Sequence, residues 1–424
     1  MKTVIELLQT HEQVSDYKIN LRRKESYELF FVKGKVETVR CTDTCDQEVT
    51  VYVDHGGCRG HAQFFVYPST TEEQIKTNID EAVEKALLID NPAFTLPAGE
   101  TGDYVMESNF SDYEPAELAA KIANAVFAAN DIEHAALNSV EVFVNRHTAT
   151  VQNSRGLSKT QLRYTAMVEA IPTYNGETQS VELYQDYSFN RLDEAVLRRE
   201  IASRLAEVKA RYEAVRPDFT MDCPVILNKM ELMELFWSIA DHLDYASVYG
   251  RSGLFQKGDR IQKAPESDRI GITMAGQAPG SCASSRFDVD GVTLERARIV
   301  EDGRAVGYYG ANRFGQYLGE TPTGILPCLC VDPGSAAAEA FRQGTYFEVL
   351  SMSGLQVDFY SDYIGGEVRL AYYHDGTRTV PVTGVSVSGS LSDVLNRLTL
   401  SAAAAVEGSY VGPEKALLRG MKIF

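Results

Sequence analysis

The sequence predicts an α+β protein: an N-terminal mixed α/β domain with a mainly antiparallel sheet, followed by a C-terminal β-rich, barrel-like domain. Three observations carry this. β-Branched and aromatic runs flank turn residues through the first half, capped amphipathic helices separate them, and beyond Pro217 the chain turns glycine-rich and strand-rich. Its 424 residues, 44% hydrophobic and 24% charged, are enough for two or three cores.

Tyr27 to Val39 reads as extended, and Glu48–Val53 and His61–Val66 flank the turn Asp54-His55-Gly56-Gly57, a hairpin pattern. Thr71 and Gln74 form a capping box for a helix with Ile75, Ile79, Val83 and Leu87 on one face. Ser111 and Glu114 stand in the same relation before Pro115, with Leu118, Ile122 and Val126 as the stripe. Val140 to Ala170 is a strand set broken at Asn153-Ser154-Arg155-Gly156. The pairs Phe31-Val32 and Thr38-Val39 recur in spacing as Phe143-Val144 and Thr150-Val151, a weak sign of internal duplication. A long helix spans about 192–215, with Leu197, Ile201, Leu205, Val208 and Tyr212 at helical spacing. Pro217 stops it, which puts the domains at 1–216 and 217–424. The second domain carries a helix at 229–245, opened by Asn228 and Glu231, and a shorter one near 391–404. Turns are expected at Glu301-Asp302-Gly303, Gly365-Gly366 and His374-Asp375-Gly376.

Forty-one basic against fifty-nine acidic side chains leave a net charge of −18, without a Lys/Arg block. Direct nucleic-acid binding is therefore not expected, because a phosphate backbone needs a basic footprint. No run approaches eighteen apolar residues and Met1–Thr10 has no secretory h-region, so no membrane span is expected. Seven cysteines in a chain of this size read as reduced thiols, hence a cytoplasmic protein.

Three places invite chemistry. Cys41, Cys45, Cys58 and His61, with His55 nearby, lack the paired spacing of a zinc module and read as scattered thiols. Cys328-Leu329-Cys330 points two thiols to one strand face, which reads as packing beside a turn. The helix at 229–245 reads as a striped core helix, with Leu232, Phe236, Ile239 and Leu243 inward and His242 near its end. No P-loop, GxGxxG or GxSxG motif occurs, and Asp288-Val289-Asp290-Gly291 is too short for an EF-hand.

Taken in order, several glycine-centred motifs make the chain resemble the TldD/TldE (PmbA) family, known both as modulators of DNA gyrase and as peptide-maturation proteases. They are Asp54–Gly60, Asn153-Ser154-Arg155-Gly156, Phe287-Asp288-Val289-Asp290-Gly291, Thr323-Gly324, Pro381-Val382-Thr383-Gly384 and Val387-Ser388-Gly389-Ser390-Leu391. The resemblance implies a zinc peptidase of two related subunits, in which the TldD type carries H-E-x-x-x-H on a helix and a C-terminal cysteine. Here Trp237 stands at the first histidine position, Ser238 at the glutamate position and His242 at the second histidine position. Glu407-Gly408-Ser409-Tyr410-Val411-Gly412, where the cysteine is expected, contains none. One imidazole does not hold zinc tightly, and serine is no proton acceptor at neutral pH. Positions 237 and 242 also lie roughly 140° apart on an ideal helix.

The resemblance thus implies a TldE-like, metal-free chain, inactive alone, without catalytic, cofactor-binding or metal-ligating residues of its own. Zinc is expected in a TldD-like catalytic partner, with which this chain would form a heterodimer around a peptide substrate; a homodimer of the isolated chain is the other assembly. The alternatives are a self-associating peptide-binding or regulatory protein without protease activity, and an atypical metallopeptidase using His242 with Asp241 or Asp244 and a distant cysteine.

Overall fold

The computed structural model describes residues 3–129, 132–218 and 221–424. The first part comprises α1 (Val4–Thr10), β1 (Asp16–Val32), β2 (Lys35–His55), β3 (Cys58–Val66), α2 (Glu72–Ala86), β4 (Thr101–Val105), α3 (Pro115–Phe127), β5 (Ala135–Asn153), β6 (Ser158–Asn175), β7 (Ser180–Glu182), β8 (Gln185–Phe189) and α4 (Glu194–Glu213). Its strands form one sheet in the order β3-β2-β1-β5-β6-β4, with β7 and β8 also on β6; every pairing except β4–β6 is antiparallel. This is the mainly antiparallel N-terminal sheet that the sequence predicts.

Because successive strand residues alternate sides, the sheet has two unlike faces. One carries Tyr17, Ile19, Leu29, Val49, Val51, Val142 and Val168, and α2, α3 and α4 bury it in two apolar clusters. The other face is polar and turns toward the second part of the chain.

The second part comprises β9 (Val225–Asn228), α5 (Lys229–Asp241), α6 (Tyr245–Tyr249), β10 (Ile272–Ala275), β11 (Arg296–Glu301), β12 (Arg304–Ala305), α7 (Asn312–Tyr317), β13 (Cys328–Val331), β14 (Thr345–Met352), β15 (Gln356–Asp358), β16 (Tyr363–Asp375), β17 (Thr379–Val382), β18 (Val385–Ser390), α8 (Leu391–Arg397), β19 (Thr399–Leu400), β20 (Ala404–Glu407), β21 (Tyr410–Pro413), β22 (Lys415–Leu418) and β23 (Lys422–Ile423). One sheet runs β12-β11-β10-β13-β21-β20, the other β19-β22-β9-β14-β16-β18-β23 with β15 and β17 on β16. Leu232, Leu235, Phe236 and Ile239 of α5 are fully buried in one apolar cluster that includes residues of both sheets.

The turn Asp288-Val289-Asp290-Gly291 joins the two parts. Asp288 folds it by accepting from the backbone N–H groups of Asp290, Val292 and Ile325 at 2.9–3.0 Å. Two lysines of the polar sheet face reach it: Lys18 Nζ donates to Asp290 Oδ1 at 2.5 Å, and Lys159 Nζ donates to the Gly291 carbonyl at 2.9 Å and Thr293 Oγ1 at 2.6 Å. Gly291 has φ +82°, and a Cβ there would lie 2.6 Å from the Leu157 side chain, so only glycine fits. The turn at Asn153 is fixed by Asn153 Oδ1, which accepts from Arg155 N, and by Ser154 Oγ, which donates to Asp16.

Several elements depart from the sequence reading. The extended stretch 27–39 is a hairpin whose turn, Lys33-Gly34, has φ +49° and +74°. That splits the supposed duplication: Phe31-Val32 and Thr38-Val39 lie on two strands, whereas Phe143-Val144 and Thr150-Val151 share β5. Ser111 does not cap α3. It sits in a 3₁₀ turn, Phe110–Asp112, and Pro115 forces Glu114 into the extended conformation, so Glu114 becomes the N-cap without a side-chain bond. Gly365-Gly366 is not a turn but the interior of β16, where Cβ atoms would meet Val387 O and Gly354 O at 2.5 Å. The helix near 391–404 stops at Arg397, because Leu398 is extended and Thr399–Leu400 pairs with β22; Ala404–Glu407 then pairs with β21. The helix at 229–245 is two helices: Asp244 is extended and caps α6, accepting from Ala246 N at 2.8 Å.

Candidate functional site

Helix α5 begins where Asn228 Oδ1 accepts from Met230 N at 2.9 Å and ends at His242 as its C-cap. Glu231, in the first turn, is buried, and its Oε2 has no partner. Burial pushes this carboxyl up to about 7, Glu234 adds to the rise, and the backbone N–H groups of Glu231 and Asn228 oppose it.

Trp237 projects from α5 toward the turn between β20 and β21, where its indole Nε1–H donates to Ser409 Oγ at 3.1 Å. The same turn is also held by Ser281 Oγ, donating to Gly408 O at 2.8 Å, with Cys282 Sγ 3.9 Å from that carbonyl. The position at which the resemblance expects a first histidine thus touches the stretch in which it expects a cysteine, but through an indole and a hydroxyl. An indole N–H only donates and a serine hydroxyl stays neutral at pH 7, so this donor set does not fit zinc.

His242 lies elsewhere. Its ring meets Phe255, Phe359 and Tyr360 edge to face at 5.7, 5.1 and 5.8 Å between centroids. Burial holds its pKa below the ordinary histidine value, against the pull of the Ser252 backbone, Asp241 and Asp358. Asp244 is committed to its cap. Ser238, half-buried, has no side-chain hydrogen bond among the described residues.

The cysteines do not converge. Cys41 and Cys45 are exposed on β2 and Cys58 opens β3. Cys328 is buried against Ser281 and Ser284, and Cys330 follows it on β13. Burial raises the thiol pKa of Cys282 and Cys330, and that of Cys223 to about 11, which keeps them protonated. Among the described residues no three His, Cys, Asp or Glu side chains are arranged to hold a metal ion.

Sequence reasoning missed Ser409 as the partner of Trp237, although the signal was present: it stands in the very stretch searched for a cysteine. Trp237 is the sole tryptophan, so its fluorescence reports this contact. Ser409→Ala should cost about 1 kcal/mol and Trp237→Ala about 2–4 kcal/mol in urea unfolding, the indole being half-buried against the core.

Residues 220–424 match the model of the PmbA/TldA metallopeptidase C-terminal domain. A metalloprotease PmbA homolog from Haemophilus influenzae is 25% identical over 423 residues, covering 92% of this chain and 88% of its own. The crystal structure of TldE from Thermococcus kodakarensis superposes with a TM-score of 0.80 at 15% identity, covering 99% of this chain and 100% of that one. A proposed modulator of a DNA gyrase from Thermotoga maritima superposes with a TM-score of 0.75 at 15% identity over 96% of both chains. These two share the fold. Among the described residues no helix is long and apolar enough to cross a membrane.

Proposed function

We propose that this chain is a member of the PmbA/TldD family and, from the surroundings of Trp237, a non-catalytic, TldE-like subunit of a two-component zinc metallopeptidase; the match of its second half to the family's C-terminal domain supports the reading. One observation carries the reading: the indole of Trp237, at the position where the resemblance implies a histidine, is hydrogen-bonded to Ser409, in the stretch where it implies a cysteine. In this reading the zinc and the general base belong to a TldD-like partner. This chain supports that partner and helps hold an unfolded peptide in a channel between the two, in the cytoplasm.

The Trp237–Ser409 pair weighs against the atypical metallopeptidase, because His242 faces an aromatic cage and not the turn at Gly408. Self-association without a protease partner is favoured by a different feature. The outer edge of β2 from Lys35 to Asp46 lies beyond the reach of β3, whose pairing starts at Gln47, and a free strand edge recruits another strand.

Elemental analysis and peptide cleavage test the first reading. The purified chain should carry less than about a tenth of an equivalent of zinc and leave an unstructured peptide intact. A pull-down from its host should recover a chain with an intact H-E-x-x-x-H. Stoichiometric zinc that is lost in His242→Ala would overturn the reading, and recovery of further copies of this chain alone would favour self-association.

A further inference from the structure

The polar face of the N-terminal sheet is only partly covered by the second part of the chain. Beyond the lysines that grip the turn at Asp290 lies a row set by strand register: Thr44 faces Lys24, Lys24 faces His147 and His147 faces Arg163. Cross-strand neighbours of this kind sit about 5 Å apart, so two cations and an imidazole form one cluster. None of them has a carboxylate partner among the described residues. The half-buried guanidinium of Arg163 makes one hydrogen bond, to the Ala283 carbonyl at 3.4 Å. It lines a cavity of about 240 Å³ between the sheet and the loop around Ala283 and Ser285.

The charged groups around this row leave the cluster uncompensated. Arg22, in the next row, is tied to Glu48 at 3.2 Å, and Asp46 stands opposite Arg22. Glu28, on the far side, is held by Arg40 and Ser26. From the second part, the thiols of Cys282 and Cys328 approach Arg163, and Asp288 is consumed by three backbone N–H groups. In a chain of net charge −18, an unpaired guanidinium lining a cavity, with an unpaired lysine in the same cross-strand row, marks a place for an anion.

A second observation defines that anion. Asn145, on the same face and two residues before His147, is 8% exposed, and its Oδ1 has no partner. A buried acceptor of this kind is satisfied by an N–H, which an inorganic anion does not offer. Asn145 faces Thr165, two residues along β6 from Arg163, so the two side chains leave the same sheet face from diagonal backbone positions about 7 Å apart. Two residues of extended peptide span the same distance.

We propose that this cleft is a subsite for the free C-terminal carboxylate of an extended peptide. Arg163 anchors the carboxylate, Lys24 stands at the mouth, and Asn145 accepts an N–H from the preceding backbone. The proposal rests on the peptide-handling reading and names the end of the substrate that this chain holds. The state of His147 agrees with it: burial, Arg163 and Lys24 push its pKa down to about 4, as expected beside cations that lack their anion.

The test uses the full chain and one unstructured decapeptide, as the free acid and as the C-terminal amide, in fluorescence anisotropy at low ionic strength. The acid should bind about tenfold or more tighter than the amide. That gap should close in Arg163→Gln through weaker binding of the acid; the variant keeps its fold, because it removes a partly desolvated cation that holds only one long hydrogen bond. Lys24→Gln, at an exposed position, should narrow the gap. Equal binding of acid and amide to the unaltered chain would overturn the carboxylate subsite and leave peptide handling standing. If neither peptide binds, peptide handling falls, and the titration of His147 by NMR decides the cleft. A rise in its pKa with acetate supports a carboxylate pocket. A rise with inorganic phosphate alone, or with neither, overturns it.

Discussion

Asp290→Asn should destabilise the chain by about 3 kcal/mol, one of its largest single-site effects, with almost no change of shape. The Lys18 side chain is 7% exposed and its ammonium is neutralised by Asp290 at 2.5 Å. Burial disfavours that charge, and Tyr52, Asp290 and Asp288 more than offset the penalty, holding the lysine above its ordinary pKa. Asparagine keeps the volume and removes the counter-charge, which leaves a buried ammonium beside a neutral amide. Breaking a buried pair in this way costs about 3–5 kcal/mol, and the nearby Asp288 keeps the expected loss at the lower end. Urea unfolding of the variant measures it. Lys18→Met combined with Asp290→Asn should recover most of the loss, because no charge is then left stranded.

Glu231→Gln should do the opposite, and only above neutral pH. The Glu231 carboxyl titrates near pH 7 in the folded chain and near pH 4.3 in the unfolded one. Between those values the folded state binds more protons, so stability falls as pH rises through the window. Above pH 7 the whole penalty is present, on the order of 3 kcal/mol. Glutamine keeps the acceptor oxygen for the first-turn backbone N–H groups and carries no charge. The variant should therefore gain up to about 3 kcal/mol at pH 8, shrinking to under about 1 kcal/mol at pH 5. Urea midpoints at the two pH values measure the difference; an equal gain at both would show that ionisation of Glu231 is not what the substitution relieves.

What was legible in the sequence follows from the range of the forces involved. The Thr71–Gln74 capping box closes over three residues, and the structure has both of its hydrogen bonds. The stripe of Leu197, Ile201, Leu205 and Val208 is buried as read. The α+β class and the mainly antiparallel first sheet follow from the same short-range patterns. Legibility fails where a neighbour in space outweighs a neighbour in sequence. Ala402–Ala405 have strong helix propensity, yet the edge of β21 takes Ala404–Glu407 into a ladder. Gly365 and Gly366 look like turn residues, but they are small because other backbones pass within reach. Lys33-Gly34 makes a tight turn without the Asn or Asp that usually announces one.

The candidate site divides in the same way. The resemblance located the positions of Trp237, Ser238 and His242 and the stretch around Ser409. The bond between Trp237 and Ser409 bridges 172 residues, a separation that no local sequence pattern spans. The row Lys24, His147 and Arg163 has no motif at all, because three different strands supply one residue each and β1 lies more than a hundred residues before β5.

The grip of the N-terminal sheet on the turn at Asp290 also bears on the order of events in folding. Lys18 and Asp290 are 272 residues apart, and Lys159 and Gly291 are 132 apart. Closing such loops costs chain entropy before any contact repays it, so these bonds form after the local hairpins and helices. A contact made after the transition state slows escape from the native basin without speeding entry to it. The clasp between the two parts therefore acts as a kinetic lock: weakening it hastens unfolding and leaves the refolding rate nearly untouched.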